Sequence, residues 1–102
     1  MGVFVFAMAG ASGAPYARRV LEQMLLAGHD VKAVITDAGR KVLEVEERLV
    51  LTGNTGADTP AVIEWARATA APGKLELYHH KDVASPIASG SFPVNGMVVV
   101  PC

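Results

Sequence analysis

The order of elements along this chain predicts an α/β domain built on a parallel sheet. Short, almost uninterrupted apolar runs at Val3 to Ala9 and Gly96 to Val100 have the pattern of strands covered on both faces, and Val31 to Thr36 reads as a second strand. The Val3 and Val31 strands are each followed by residues at helical spacing, and strands alternating with helices imply right-handed crossovers between parallel neighbours. A glycine-flanked turn, Gly10-Ala11-Ser12-Gly13, joins the first strand to the first helix.

Each element has its own local reason. Pro15 suits a first helical turn, where its missing N–H costs nothing. Ala17, Val20, Leu21, Met24 and Leu25 then recur at helical spacing, with Arg18, Arg19, Glu22 and Gln23 opposite, and Gly28 supplies the stop. After the second strand, Asp37 is placed to cap a helix over about Ala38 to Val50. On that helix Ala38, Val42, Leu43, Val45, Leu49 and Val50 fall on one arc, with Arg40, Lys41, Glu44, Glu47 and Arg48 opposite. Glu46 lands inside the apolar arc, where a carboxylate is costly without a partner or a task. Thr52 to Thr59 reads as loop, Pro60 as the start of a third helix through about Ala70, and Leu75 to Tyr78 as a short strand. The last strand, as apolar as Met97 to Val100, needs cover on both faces. The chain stops where its crossover helix should begin, so the expectation is one domain over 1–102, incomplete after its fourth strand.

Composition narrows the function classes. With 102 residues, 51% hydrophobic and 19% charged, the chain fits one globular domain. A net charge of −1 argues against a nucleic-acid footprint. No apolar run reaches the roughly 18 to 20 residues of a membrane span, and no basic segment precedes Val3 as in a signal peptide. The single cysteine, Cys102, permits no internal disulfide and no cysteine zinc site, so a cytoplasmic setting is the default.

The chemistry-bearing residues cluster at strand ends. Gly10 to Gly13 sits outside the carboxyl end of a strand and at a helix N-terminus, where open α/β sheets bind ligands and exposed N–H groups favour a phosphate. Its spacing is neither the dinucleotide fingerprint nor a P-loop, which leaves a mononucleotide site or a purely structural turn. Thr36 ends the second strand at the same edge, and its hydroxyl equally suits capping the next helix. Glu46 serves either function or a rim or subunit contact. Ala88 to Phe92 is small enough for a flat ring or another backbone to approach, and equally reads as a surface loop. His79-His80 would point to opposite faces of a strand, so no metal site is expected. His29, after a helix-ending glycine, reads as solvated, and Trp65 as packing.

Together these stretches resemble the flavin prenyltransferases of the UbiX-like family, within the wider group of homo-oligomeric flavin-containing decarboxylase-like proteins. Four segments carry the resemblance in order: GASGAPY with the helix ending RRVL, VIT followed by the helix bearing Glu46, ASGSF, and GMVVVPC. They span essentially the whole chain but only the front part of such proteins. The resemblance implies a Rossmann-like, flavodoxin-type three-layer fold, FMN as cofactor, no metal, and a homo-oligomer with sites at subunit boundaries. It implies transfer of a dimethylallyl group from dimethylallyl phosphate to reduced FMN, the prenylated flavin then serving a partner decarboxylase.

By position, the resemblance places Gly10, Ala11 and Ser12 along the flavin, with the Ser12 hydroxyl near the reacting N5 edge. Thr36 stands where the family usually has serine, and Glu46 matches a glutamate that assists proton movement. Ser89, Gly90 and Ser91 belong to a segment near the flavin, and Pro101 and Cys102 begin a further flavin-binding turn. Catalytic roles thus fall to Ser12 and Glu46. The family's grip on the prenyl phosphate lies beyond these segments, and the basic residues present are expected on helix faces turned to water or in loops. Two alternatives stay open: a flavin-dependent cysteine decarboxylase, which would need a histidine that the second helix lacks, and a non-catalytic flavin- or nucleotide-binding module.

Overall fold

A computed structural model describes residues 2–10, 13–79 and 95–100. The described elements are β1 (Val3–Met8), α1 (Ala14–Leu26), β2 (Asp30–Ile35), α2 (Asp37–Glu47), α3 (Thr55–Trp65), β3 (Lys74–His79) and β4 (Gly96–Val99). The strands form one parallel sheet in the order β3-β2-β1-β4. The chain steps outward from β1 to β2 to β3, then returns to the far side of β1. The reversal between β1 and β4 is the topological switch point, and ligands of open α/β sheets bind beyond the carboxyl ends of the strands there.

One face of the sheet carries the main core. Phe6, Met8, Val31, Ala33, Ile35 and Leu77 alternate onto it and meet Ala14, Ala17, Leu21 and Leu25 of α1, Leu43 of α2 and Val62 of α3. Each fully buried leucine or phenylalanine contributes about 2 kcal/mol of transfer free energy. The α1 stripe is the one the spacing predicts, with Val20 and Met24 packed at its margin. Its end is also as expected: Gly28 takes a φ of 84°, and the His29 N–H returns to the Met24 carbonyl at 3.2 Å.

The opposite face is divided. Val5 and Val34 are buried there. Lys32 on β2 donates to Glu76 at 2.9 Å and lies 3.5 Å from Asp30, and the Tyr78 hydroxyl donates to Glu76 at 2.6 Å. The Tyr78 bond, with Lys32 adding to it, holds the Glu76 carboxyl below its usual range; the same bond pushes the Tyr78 hydroxyl up. Lys32 therefore corrects the expectation that basic residues are confined to helix faces and loops.

Other corrections concern helix ends. The cap of α2 is Thr36, not Asp37: its Oγ1 accepts from the Gly39 N–H at 3.0 Å, and Asp37 is the first helical residue. The helix stops at Glu47, before Val50, because Arg48 turns left-handed at φ 56°. Its predicted apolar arc is only partly buried, since Gly39 and Leu43 face the core while Val45 stays 70% exposed and Val50 69%. Helix α3 begins at Thr55, five residues before Pro60, and ends at Trp65 rather than Ala70. Asn54 caps it through the Ala57 N–H at 3.1 Å. Pro60 sits inside the helix and forgoes the bond to Gly56, an exposed residue whose carbonyl water can reach. His29 is not simply solvated: its Nδ1 accepts from the Gly2 N–H at 3.0 Å and its ring meets Phe4 edge-on. Trp65 packs at the core margin as expected and donates to Glu47 at 3.1 Å. No helix among the described residues is long and apolar enough to cross a membrane.

Asp58, 6% exposed, ties down the segment before α3 by accepting from the Thr52 N–H, the Thr52 hydroxyl and the Gly53 N–H, all within 2.9 Å. Burial pushes its carboxyl up, but these bonds and the nearby Arg40 charge outweigh it and hold the pKa below the usual range. Asp58→Ala is expected to cost about 2–3 kcal/mol, read as a lower urea midpoint. Because the folded pKa is depressed, this stabilisation is present above the unfolded value near about 4 and is lost as pH falls through the folded one. The parent should therefore lose stability below about pH 4 more steeply than Asp58→Asn.

Candidate functional site

At the switch point the chain leaves β1 at Met8, bends at Gly10 and enters α1 through Gly13. Gly13 has φ 115° and ψ 31°, a conformation that favours glycine, and it occupies the N-cap position with no side chain to offer. The amino end of α1 therefore needs its acceptors from elsewhere. Tyr16 and Ala17 bond back to the Gly13 carbonyl, and Pro15 has no N–H. The remaining Gly13 and Ala14 N–H groups donate to Oε1 of Glu46, at 3.2 and 3.0 Å, from 33 and 32 residues away in sequence.

This arrangement answers the puzzle of Glu46. Its carboxylate is not inserted into the core: the residue is exposed, and it reaches the positive end of the α1 dipole. It also changes the phosphate reading. The two N–H groups that the sequence offers to a ligand phosphate already hold a carboxylate of the same chain.

Helix α2 reaches the same segment with its other end. The Thr36 hydroxyl donates to the Met8 carbonyl at 3.2 Å while accepting from Gly39. The Thr36 N–H also bonds to the Met8 carbonyl, at 3.1 Å. Gly39 lies so close to the end of β1 that a Cβ there would stand 2.6 Å from the Met8 oxygen. Thr36 and Glu46, ten residues apart on α2, thus bracket the turn from its strand side and its helix side.

Of the predicted site residues, the structure brings Gly10, Thr36 and Glu46 together around this turn. For Thr36 it supplies the capping role that the sequence left open beside a flavin contact. Ala11, Ser12, Ser89, Gly90, Ser91, Pro101 and Cys102 lie outside the described residues. The carboxyl end of β4 comes beside the same turn, where the Val100 N–H donates to the Ala7 carbonyl at 2.9 Å.

Sequence reasoning missed the neighbouring edge of the sheet. There Ile35, Tyr78 and His79 at the ends of β2 and β3 face Arg40, Leu51, Gly53, Thr55 and Asp58 across a small cleft. Arg40 donates to the Leu51 carbonyl at 3.0 Å. The signal for it is Asp58 three residues after Thr55, in a stretch whose composition reads as loop.

No family model matches the chain. It is 38% identical over 101 residues to the flavin prenyltransferase UbiX of Halalkalibacterium halodurans, covering 99% of this chain and 46% of that protein. Among solved structures, AnUbiX (PadA1) in complex with FMN and dimethylallyl pyrophosphate superposes with a TM-score of 0.69 at 26% identity, over 98% of this chain and 45% of the other. The dodecameric FMN-dependent UbiX-like decarboxylase from Escherichia coli O157:H7 superposes with a TM-score of 0.64 at 25% identity, over 98% and 46%. The chain spans about half the length of the curated relatives it matches. Over nearly its own whole length it is similar, in sequence and in fold, to about half of a UbiX-type flavin prenyltransferase.

Proposed function

We propose that this chain forms the flavin-cradling part of an FMN-dependent prenyltransferase, which joins a dimethylallyl group to reduced FMN for use by a partner decarboxylase. The observation that carries this reading is the turn at the β1/β4 switch point, braced on both sides by α2, in a chain whose relatives are flavin prenyltransferases. Gly10 is exposed, so a flat ring can approach the backbone there. The FMN phosphate is not assigned to the Gly13 and Ala14 N–H groups, which Glu46 occupies.

In this reading Gly10, Ala11, Ser12 and Thr36 line the flavin, together with Ser89, Gly90, Ser91, Pro101 and Cys102. Reduced FMN, when bound, supplies the nucleophilic N5 and C6 atoms that dimethylallyl alkylates. Ser12 would offer its hydroxyl for the N5 edge. Glu46 anchors the turn and is the chain's candidate for moving a proton there. The prenyl donor is dimethylallyl phosphate, and its phosphate requires fixed cations; we assign none of the described basic residues to it. Exposed Tyr16, Val45 and Val50 favour a homo-oligomer, in which copies would cover them. The setting we infer is cytoplasmic.

Flavin uptake is the first test. The protein should turn yellow with FMN and quench its fluorescence on titration; a colourless protein that leaves the fluorescence unchanged overturns the reading. Prenyl transfer is tested separately, by supplying reduced FMN with dimethylallyl phosphate and looking for the alkylated flavin by mass. The role of Glu46 as an anchor has its own measure. Glu46→Ala should cost about 1 kcal/mol in urea denaturation, as loss of a helix cap does. Glu46→Gln, which keeps an acceptor without the charge, should cost roughly half as much.

A further inference from the structure

The bareness of Gly10 has three possible causes: an unusual backbone angle, a close ligand, or a close neighbour within the chain. The first is excluded, because the described glycines with positive φ are Gly13, Gly28 and Gly53, and Gly10 is not among them. The neighbour is present. A Cβ built on Gly10 would collide with the Ala38 methyl, and it would lie 3.4 Å from the Ala38 Cα and carbonyl carbon.

Ala38 is exposed, but its backbone is held from both sides. It stands in the first turn of α2, between Asp37 and Gly39. Thr36 just before it is fastened to the Met8 carbonyl by both its N–H and its hydroxyl. Gly39 just after it is pressed against the Met8 and Ala9 carbonyls, 2.6 and 3.2 Å from where a Cβ would stand. Moving α2 away would also pull on Glu46 and its two bonds to the start of α1. The methyl of Ala38 is therefore a fixed stop against Gly10.

We propose that Ala38 is a positioning residue. Its methyl sets how closely Gly10 approaches α2, and so where the Gly10 backbone stands against the flavin. The glycine at position 10 answers to this methyl, not to a backbone angle. The proposal rests on the flavin reading given above and deepens it: Ala38 acts on the cofactor only through Gly10.

The contact consists of one methyl against one hydrogen, so it can be inverted. Four proteins are compared: the parent, Gly10→Ala, Ala38→Gly, and Gly10→Ala/Ala38→Gly, in which the methyl changes sides. For each, FMN affinity, the visible spectrum of bound flavin and the melting midpoint without flavin are measured. Gly10→Ala should weaken FMN binding about tenfold or more, through overpacking against a fixed neighbour. It should also shift the flavin spectrum, which a general loss of stability would not do. Ala38→Gly should lower the midpoint, as glycine does in a helix, while leaving the turn unclashed. The double variant should bind FMN within about threefold of Ala38→Gly and regain its spectrum. Should Gly10→Ala fail to fold, recovery of folded, flavin-binding protein in the double variant is the same supporting result.

The proposal is overturned if Gly10→Ala binds FMN like the parent. It is equally overturned if the double variant recovers its midpoint but not its affinity, since Gly10 would then be bare for the flavin itself. A parent that takes up no FMN sinks the functional reading instead. In that case the ligand-free midpoints still decide the contact: a non-additive cycle upholds Ala38 as the stop against Gly10, and an additive one removes it.

Discussion

The junction between α2 and the β1–α1 turn is the constraint on which the candidate site depends. A glycine N-cap leaves the start of α1 without a side-chain acceptor, and Glu46 supplies one from a different helix. A local cap would have stabilised α1 alone. A carboxylate delivered from α2 also fixes the angle between the two helices, and the Thr36 bonds to Met8 fix where α2 starts. These two anchors hold Met8 on one side and the Gly13–Ala14 start of α1 on the other. In the proposed reading such pre-ordering favours a cofactor, because a loop that must be ordered on binding costs affinity.

The sheet order gives this junction its setting. Once β4 returns to the far side of β1, the strand order reverses at β1. Open α/β sheets bind their ligands at such a reversal, whatever side chains line it. The chain's own contribution is small residues, Ala9 and Gly10, at the end of β1, and a carboxylate, Glu46, held on the helix end. The buried Asp58 works similarly at the neighbouring edge, where three donors from Thr52 and Gly53 converge on one carboxylate.

How much of this was legible in the sequence depends on where each signal resides. The α1 stripe, the Gly28 stop and the four strands were readable because side-chain hydropathy and glycine conformation report them directly. On α2 the same method misled. Gly39 is buried by the closeness of its backbone to Met8, which no hydropathy pattern records, while Val45 and Val50 are apolar and exposed. Pro60 carried a start signal that Asn54 and Asp58 outweighed, since three hydrogen bonds and a cap exceed one missing N–H. Glu46 could be recognised as out of place, but its partners are main-chain N–H groups more than thirty residues distant. The pairing of Gly10 with Ala38 was invisible for a related reason: both residues are ordinary, and only their distance is informative.

The two flanks of the described sheet differ in a way that bears on association. Along β3, Lys74 and Glu76 are exposed, and Glu76 is engaged with Lys32 and Tyr78. Charge of this kind discourages an incoming strand from docking edge to edge. Along β4 the exposed side chains are Met97 and Val99, which carry no such deterrent. Among the described strands, β3 is thus the one flanked by exposed charge and β4 the one flanked by exposed apolar side chains, on the side of the switch point.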